Sequence, residues 1–191
     1  MKRIFLIIVI FIPIFLNAQK INELMTNNVS AILDDDYNYS MWVEIYNNTA
    51  SAINQSAYFF TDNLKEPQKW TPVSKSIAAG GFGVLYFERE ERTGHASFKL
   101  DPEGGKLYLV NSALQVIDSV RYPAQYRNIS YGRKTNGVNE WVFFEQFSAG
   151  TSNNGKAYSA IRCAKPVFTV PGGFYPSSIN IKFNTPATGD T

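Results

Sequence analysis

An all-β sandwich is the fold class this sequence predicts, and three observations carry it. No apolar period of 3.6 residues runs along the chain, so a helix would have no face to bury. Short runs rich in Val, Ile, Tyr, Phe and Trp recur at intervals of ~8–12 residues, with turn-forming residues between them. That spacing is characteristic of an immunoglobulin-like sandwich. Aromatic residues make up 15% of the 191 residues, and the 13 Gly and 9 Pro are scattered rather than clustered, which suits many turns.

The elements follow in order. Ile21 to Met25 reads as a first strand, broken by Thr26-Asn27-Asn28. Asp34 to Ser40 is a polar loop with an acidic start. In Met41 to Tyr46, Val43 and Ile45 point to one face while Trp42, Glu44 and Tyr46 point to the other. Asn47-Asn48 ends that strand with residues that tolerate turn geometry. Ile53 to Asp62 is the next predicted strand. Gly80-Gly81 frees the backbone before the strand Phe82 to Glu88, and Glu88 to Arg92 reads as a solvated charge run. Lys106 to Val110, Val116 to Val120 and Trp141 to Phe144 complete the strands of the first domain.

These runs resemble, in the right order, the lamin tail domain in its secreted bacterial form. Ile21-Asn22-Glu23 leading to Trp42-Val43-Glu44-Ile45-Tyr46-Asn47 is similar to its INE and W-x-E-x-Y-N strands. Ile53 to Asn63 resembles its V-D-L-S-G-Y-x-L-S-D segment, with Gln55 and Ala57 as departures. Ile77 to Phe82 resembles I-P-A-G-G-F. Phe98 to Val120 resembles F-x-L…G-E-x-L-x-L…V-D-S-V. Ser130-Tyr131-Gly132-Arg133, Trp141 to Phe144 and Gly150 to Asn153 resemble S-Y-G-R…W-x-x-F…P-G-x-x-N, with Ala149 in place of the Pro. The resemblance covers residues 19–153 and implies an immunoglobulin-like domain. After a linker at 154–164, residues 165–191 resemble the opening of a chitobiase/hexosaminidase C-terminal-type β-module, with Ile179 to Phe183 as its second strand. That module is expected to be incomplete at Thr191.

Residues 1–18 have the pattern of a secretory signal. Lys2-Arg3 precedes an apolar run from Ile4 to Leu16, and Ala18 offers a small residue for cleavage. An uncleaved anchor is the alternative, disfavoured because a spanning helix needs ~20 apolar residues. Removing Lys2 and Arg3 from the 18 basic residues leaves 16, which balance the 16 acidic ones. A neutral mature chain offers no electrostatic footprint for nucleic acid or an anionic membrane. The single cysteine, Cys163, has no intrachain disulfide partner. N-x-S/T sites begin at Asn28, Asn47, Asn54 and Asn128, and matter only in a host that glycosylates.

Little in the sequence points to chemistry. His95, the single histidine, follows Gly94 in a charged stretch and is expected on a surface loop. A Ser-His-Asp or Cys-His arrangement would have to use it. Zinc is not expected, because its usual sites draw on several Cys or His ligands. Asp34, Asp36 and Asn38 match the first positions of a D-x-D-x-N calcium loop. Tyr39 then stands where Gly is needed, and Ile45 where the bidentate Glu should be; Glu44 is one residue off, and Glu23 would have to come from the neighbouring strand. A solvated acidic loop without calcium dependence is the expectation. Trp42, Trp70, Trp141 and Tyr58 are candidates for a sugar-stacking platform, against the ordinary reading of core aromatics.

The expectation is therefore a secreted or cell-surface interaction or spacer module with no catalytic residue and no cofactor. Its partner would be a protein or a cell-envelope glycan. The resemblance further implies a large bacterial parent protein, in some cases with a spore-coat-H-type kinase-like domain downstream. A carbohydrate-binding module is one alternative, and an accessory domain of a secreted hydrolase or nuclease is another. Processing is directly testable. The exported product should begin at Gln19, read by N-terminal sequencing or intact mass, and retention of Met1 to Ala18 in a membrane fraction would contradict it.

Overall fold

The computed structural model describes residues 19–88, 93–160, 167, 168, 170, 173–180, 183 and 184. Residues 1–18, with the expected signal pattern, the charge run at 89–92 and Cys163 lie outside the described residues. The chain divides into two units, Met1–Ser159 and Ala160–Thr191.

The first unit is a β-sandwich. Its strands are β1 (Lys20–Met25), β2 (Met41–Tyr46), β3 (Ile53–Asn54), β4 (Tyr58–Thr61), β5 (Ser76–Ile77) and β6 (Phe82–Phe87). They continue as β7 (His95–Ala96), β8 (Gly104–Asn111), β9 (Val116–Pro123), β10 (Ser130–Arg133), β11 (Trp141–Phe144) and β12 (Ala157–Tyr158). Among the described residues, one sheet has the order β12-β11-β10-β1-β2-β6-β7, a second β4-β8-β9, and β3 pairs with β5. Ala157–Tyr158, expected in the linker, instead forms an edge strand on β11.

Ile53 to Asp62 is not one strand. The Asn54 side chain accepts from the Ser56 N–H and starts a 3₁₀ turn at Gln55–Ala57. The turn moves the chain between ladders, so that β3 pairs with β5 and β4 with β8.

The core lies between the two larger sheets. Ile21, Leu24, Val43, Ile45, Leu85 and Phe87 come from one, and Phe60, Leu107, Leu109, Val120 and Tyr122 from the other. A buried ion pair ties them together. Arg133 on β10 donates to both carboxylate oxygens of Asp118 on β9, at 3.0 and 2.9 Å. Asp118 also accepts the Ile21 N–H at 2.8 Å, and Arg133 Nε donates to the Ile21 carbonyl at 2.7 Å. Hydrogen bonds on the remaining donors and acceptors are what make such a desolvated pair tolerable.

A bulge in β1 sets what each face of the large sheet carries. Ile21 pairs with Ile45 and Glu23 with Glu44, so the register shifts at Asn22. Strict alternation would put Ile21 and Leu24 on opposite faces; the extra residue lets both enter the core.

In the second unit, β13 (Val167–Phe168) pairs antiparallel with β14 (Phe183–Asn184). The strand expected from Ile179 thus begins later; Ile179 is exposed and outside any strand.

Val43 and Ile45 face the core as β2's alternation predicts. Ile45→Ala should cost about 2–5 kcal/mol in denaturant unfolding through lost burial and a residual cavity. A change under about 0.5 kcal/mol, the surface range, would remove this strand from the core.

Candidate functional site

The outer face of the seven-stranded sheet carries the polar chemistry, in two clusters. The first is centred on β1 and β2. The bulge presents both Asn22 and Glu23 to Glu44, and all three are buried. Asn22 Nδ2 donates to Glu44 Oε1 at 2.9 Å, and the Gly150 N–H donates to Glu44 Oε2 at 2.7 Å. Glu23 accepts from the hydroxyls of Ser130 and Ser148 and from the Ser148 N–H. Asn153 closes the network: its Oδ1 accepts from Asn22 and Ser148, and its Nδ2 donates to the Arg133 carbonyl at 2.6 Å.

Two glycines are required here for different reasons. A Cβ on Gly132 would lie 3.0 Å from both Glu23 Cγ and Asn153 Nδ2. Gly150 has φ +83°, a left-handed conformation that aims its N–H at Glu44.

Burial pushes the Glu44 carboxyl up to about 8; the Asn22 hydrogen bond opposes the rise and the neighbouring Glu23 charge adds to it. Glu23 is raised as well, again chiefly by burial, against its hydrogen bonds from the two serines. Buried carboxyls with raised pKa are candidates for acid–base work. Here every carboxylate oxygen of the pair is occupied by a framework donor, so the cluster reads as a fastening for residues 148–153.

The second cluster lies where the acidic loop meets β6 and β7. Asp34 is buried rather than solvated as expected. Its Oδ1 accepts the N–H groups of Asp36 and Asn38, at 2.9 and 2.8 Å, and its Oδ2 accepts the Ser40 hydroxyl at 2.7 Å. The same hydroxyl reaches Glu88 Oε2 at 2.9 Å. Burial alone would raise the Asp34 pKa, but these hydrogen bonds and His95 together hold it below the ordinary carboxylate value.

His95 corrects the surface-loop expectation. It is 5% exposed, lies on β7 rather than in a loop, and stacks on Tyr86 with centroids 5.4 Å apart. Its Nδ1 is 2.5 Å from Glu88 Oε1 and 3.9 Å from Asp34 Oδ2. No group meets that nitrogen in hydrogen-bond geometry. Asp34, Glu88 and His95 each offer one donor atom, all within 4.8 Å of one another. The sequence signal was present in the acidic loop and the lone histidine. What it lacked was the parallel pairing of Tyr86 with His95, which brings them together.

The calcium set expected from sequence does not assemble. Asp36 and Asn38 meet Asp34 through their backbone N–H groups, while Glu23 and Glu44 belong to the first cluster. The three tryptophans also stay apart. Trp42 is fully buried, edge-on to Phe147. Trp70 packs against Phe60 and Phe87 in the core. Trp141 stacks on Tyr131, with the Arg133 guanidinium 4.6 Å from its ring. Tyr58 is half-buried against the core. Among the described residues of the first unit, the exposed aromatics are instead Tyr37, Tyr39 and Tyr126, with Tyr37 82% exposed. Of the glycosylation sequons, Asn28 and Asn47 are buried and hydrogen-bonded through their side chains, and Asn54 is exposed.

No family model matches this chain, and no curated protein matches it.

The first cluster makes stability depend on pH. Glu44 binds its proton more tightly in the folded protein than in the unfolded chain. The resulting stabilisation is full below the ordinary value of 4.5 and is lost as pH rises through about 8. Glu23 acts in the same direction. Urea midpoints should therefore fall over that range, and Glu44→Gln should flatten the fall whatever its own cost. An identical pH slope in the variant would show that Glu44 does not titrate there.

Proposed function

We propose that this chain is an exported, non-catalytic module of the lamin tail type, serving as an interaction or spacer unit in a larger cell-surface protein. The observation that carries this reading is where the resemblance-bearing residues sit. Asn22, Glu23, Glu44, Gly132, Gly150 and Asn153 converge on one buried network. Asp118 and Arg133 bridge the two sheets. Asn47 donates to the carbonyls of Ser51, Ile77 and Ala78, tying the turn after β2 to the Gly80-Gly81 loop. All of these residues hold the framework together, as expected when a motif marks a fold rather than an active site.

The seven- and three-stranded sheets facing each other support the immunoglobulin-like form of the sandwich. The antiparallel β13–β14 pair is compatible with the start of a second β-module. Export rests on the pattern at residues 1–18. A catalytic reading finds less support. Among the described residues, no hydrogen bond joins a serine hydroxyl to His95, and Ser40 is held by two carboxylates instead. A nucleophile must reach its base, so the described contacts of His95 favour a framework role over a Ser-His-Asp one.

Carbohydrate binding is the second reading. The aromatics open to such a ligand are Tyr37 and Tyr39, on the acidic loop, rather than the tryptophans. Tyr37→Ala should change stability by less than about 0.5 kcal/mol. In glycan-array and envelope pull-down assays it should weaken any binding the parent chain shows. Binding unchanged by Tyr37→Ala would exclude this loop as the contact. Hydrolysis of an ester, glycoside or phosphodiester by the purified chain, lost in His95→Gln, would overturn the non-catalytic reading.

A further inference from the structure

We infer that Asp34, Glu88 and His95 form a binding site for a divalent transition-metal ion of the zinc class, which clasps the acidic loop to the β6–β7 edge. The donor atoms come from three separate segments: the loop after β1, the end of β6, and β7. Asp34 and His95 are each held in place by something other than their neighbours in the cluster. Two loop N–H groups fix Asp34 Oδ1, leaving Oδ2 turned toward Ser40 and His95. The Tyr86 ring fixes the imidazole plane. Asp34 and Glu88 make further contacts besides these, so for these two the inference rests on the convergence of the atoms.

The second observation is His95 itself. A buried ring nitrogen normally finds a hydrogen-bond partner. Nδ1 is buried and directed into the cluster, 2.5 Å from Glu88 Oε1 and 3.9 Å from Asp34 Oδ2, yet with neither in hydrogen-bond geometry. Metal binding would use Nδ1 as an unprotonated donor, and with the two carboxylates the set would carry two negative charges against the two positive charges of the ion.

The donor types select the metal class. Calcium and magnesium take all-oxygen shells of six or more ligands, whereas an imidazole with carboxylates suits zinc and its first-row neighbours. Three protein ligands would leave a further coordination position to be filled by water. A groove of about 420 Å³ lined by Ser40, Glu88, Asn38 and Lys99 opens beside Glu88, one of the three donors. Binding would order a loop whose tip carries the exposed Tyr37.

The chain's single histidine makes the test clean. Tag-free mature protein, stripped with chelator, is titrated with Zn²⁺ by calorimetry and followed by thermal melting. One saturable equivalent is expected, with a melting temperature that rises and is reversed by EDTA; millimolar Ca²⁺ should not substitute. His95→Gln and the Asp34→Asn/Glu88→Gln pair should each weaken binding at least about tenfold, while Cys163→Ser should leave it intact. In the wild-type protein, Co²⁺ should shift or broaden the one imidazole NMR signal, a readout independent of how well the variants fold. Absence of saturable Zn²⁺ binding, binding undiminished by His95→Gln, binding lost in Cys163→Ser, or an imidazole signal indifferent to bound Co²⁺ would each overturn the site.

Discussion

The bulge at Asn22 in β1 is the constraint on which the rest of the first unit depends. Pleat alternation would force a choice between Ile21 and Leu24 for the core. One unpaired residue removes that choice. Both apolar side chains turn inward, and Asn22 and Glu23 together turn toward Glu44 on the far side. The core and the polar network are therefore products of the same backbone irregularity. A strand without it would bury a carboxylate among Val43 and Ile45 or expose Leu24.

Burying two carboxyls on adjacent strands is costly, and the chain meets that cost with donors brought from far along the sequence. Ser130 comes from β10, while Ser148, Gly150 and Asn153 come from the segment after β11. That segment is thereby fixed over the outer face of the sheet, where Phe147 covers Trp42. The Arg133–Asp118 pair does the corresponding work on the inner side, joining β10 to β9 across the sandwich. The Arg133 carbonyl accepts from Asn153, so the two systems share a residue. Loosening either one reaches the other through a single peptide unit.

At the other end of the same face, the acidic loop is turned inward instead of out. Its first carboxylate works as a local anchor, accepting from its own loop's backbone and from Ser40. Tyr37, with φ +64°, sits at the turn this anchoring imposes, and its side chain is left in solvent. The loop therefore combines a buried polar base with an exposed aromatic tip.

Much of this was legible in the sequence, because alternation is a local property. Val43 and Ile45 inward and Glu44 outward follow from the pleat alone, as do the turns at Asn47 and Gly80-Gly81. Neighbouring residues also determined the strand content and the all-β class. The position of His95 was not legible, since β7 is two residues long and its place beside Tyr86 depends on a strand pairing. Nor could the sequence assign Glu23 and Glu44 away from the acidic loop, because Asp34 lies between them in the chain. Composition and alternation decide which side chains leave solvent. Which of the buried polar groups then meet depends on long-range pairing, and only the tertiary structure, which sets sheet order and the β1 bulge, decided that.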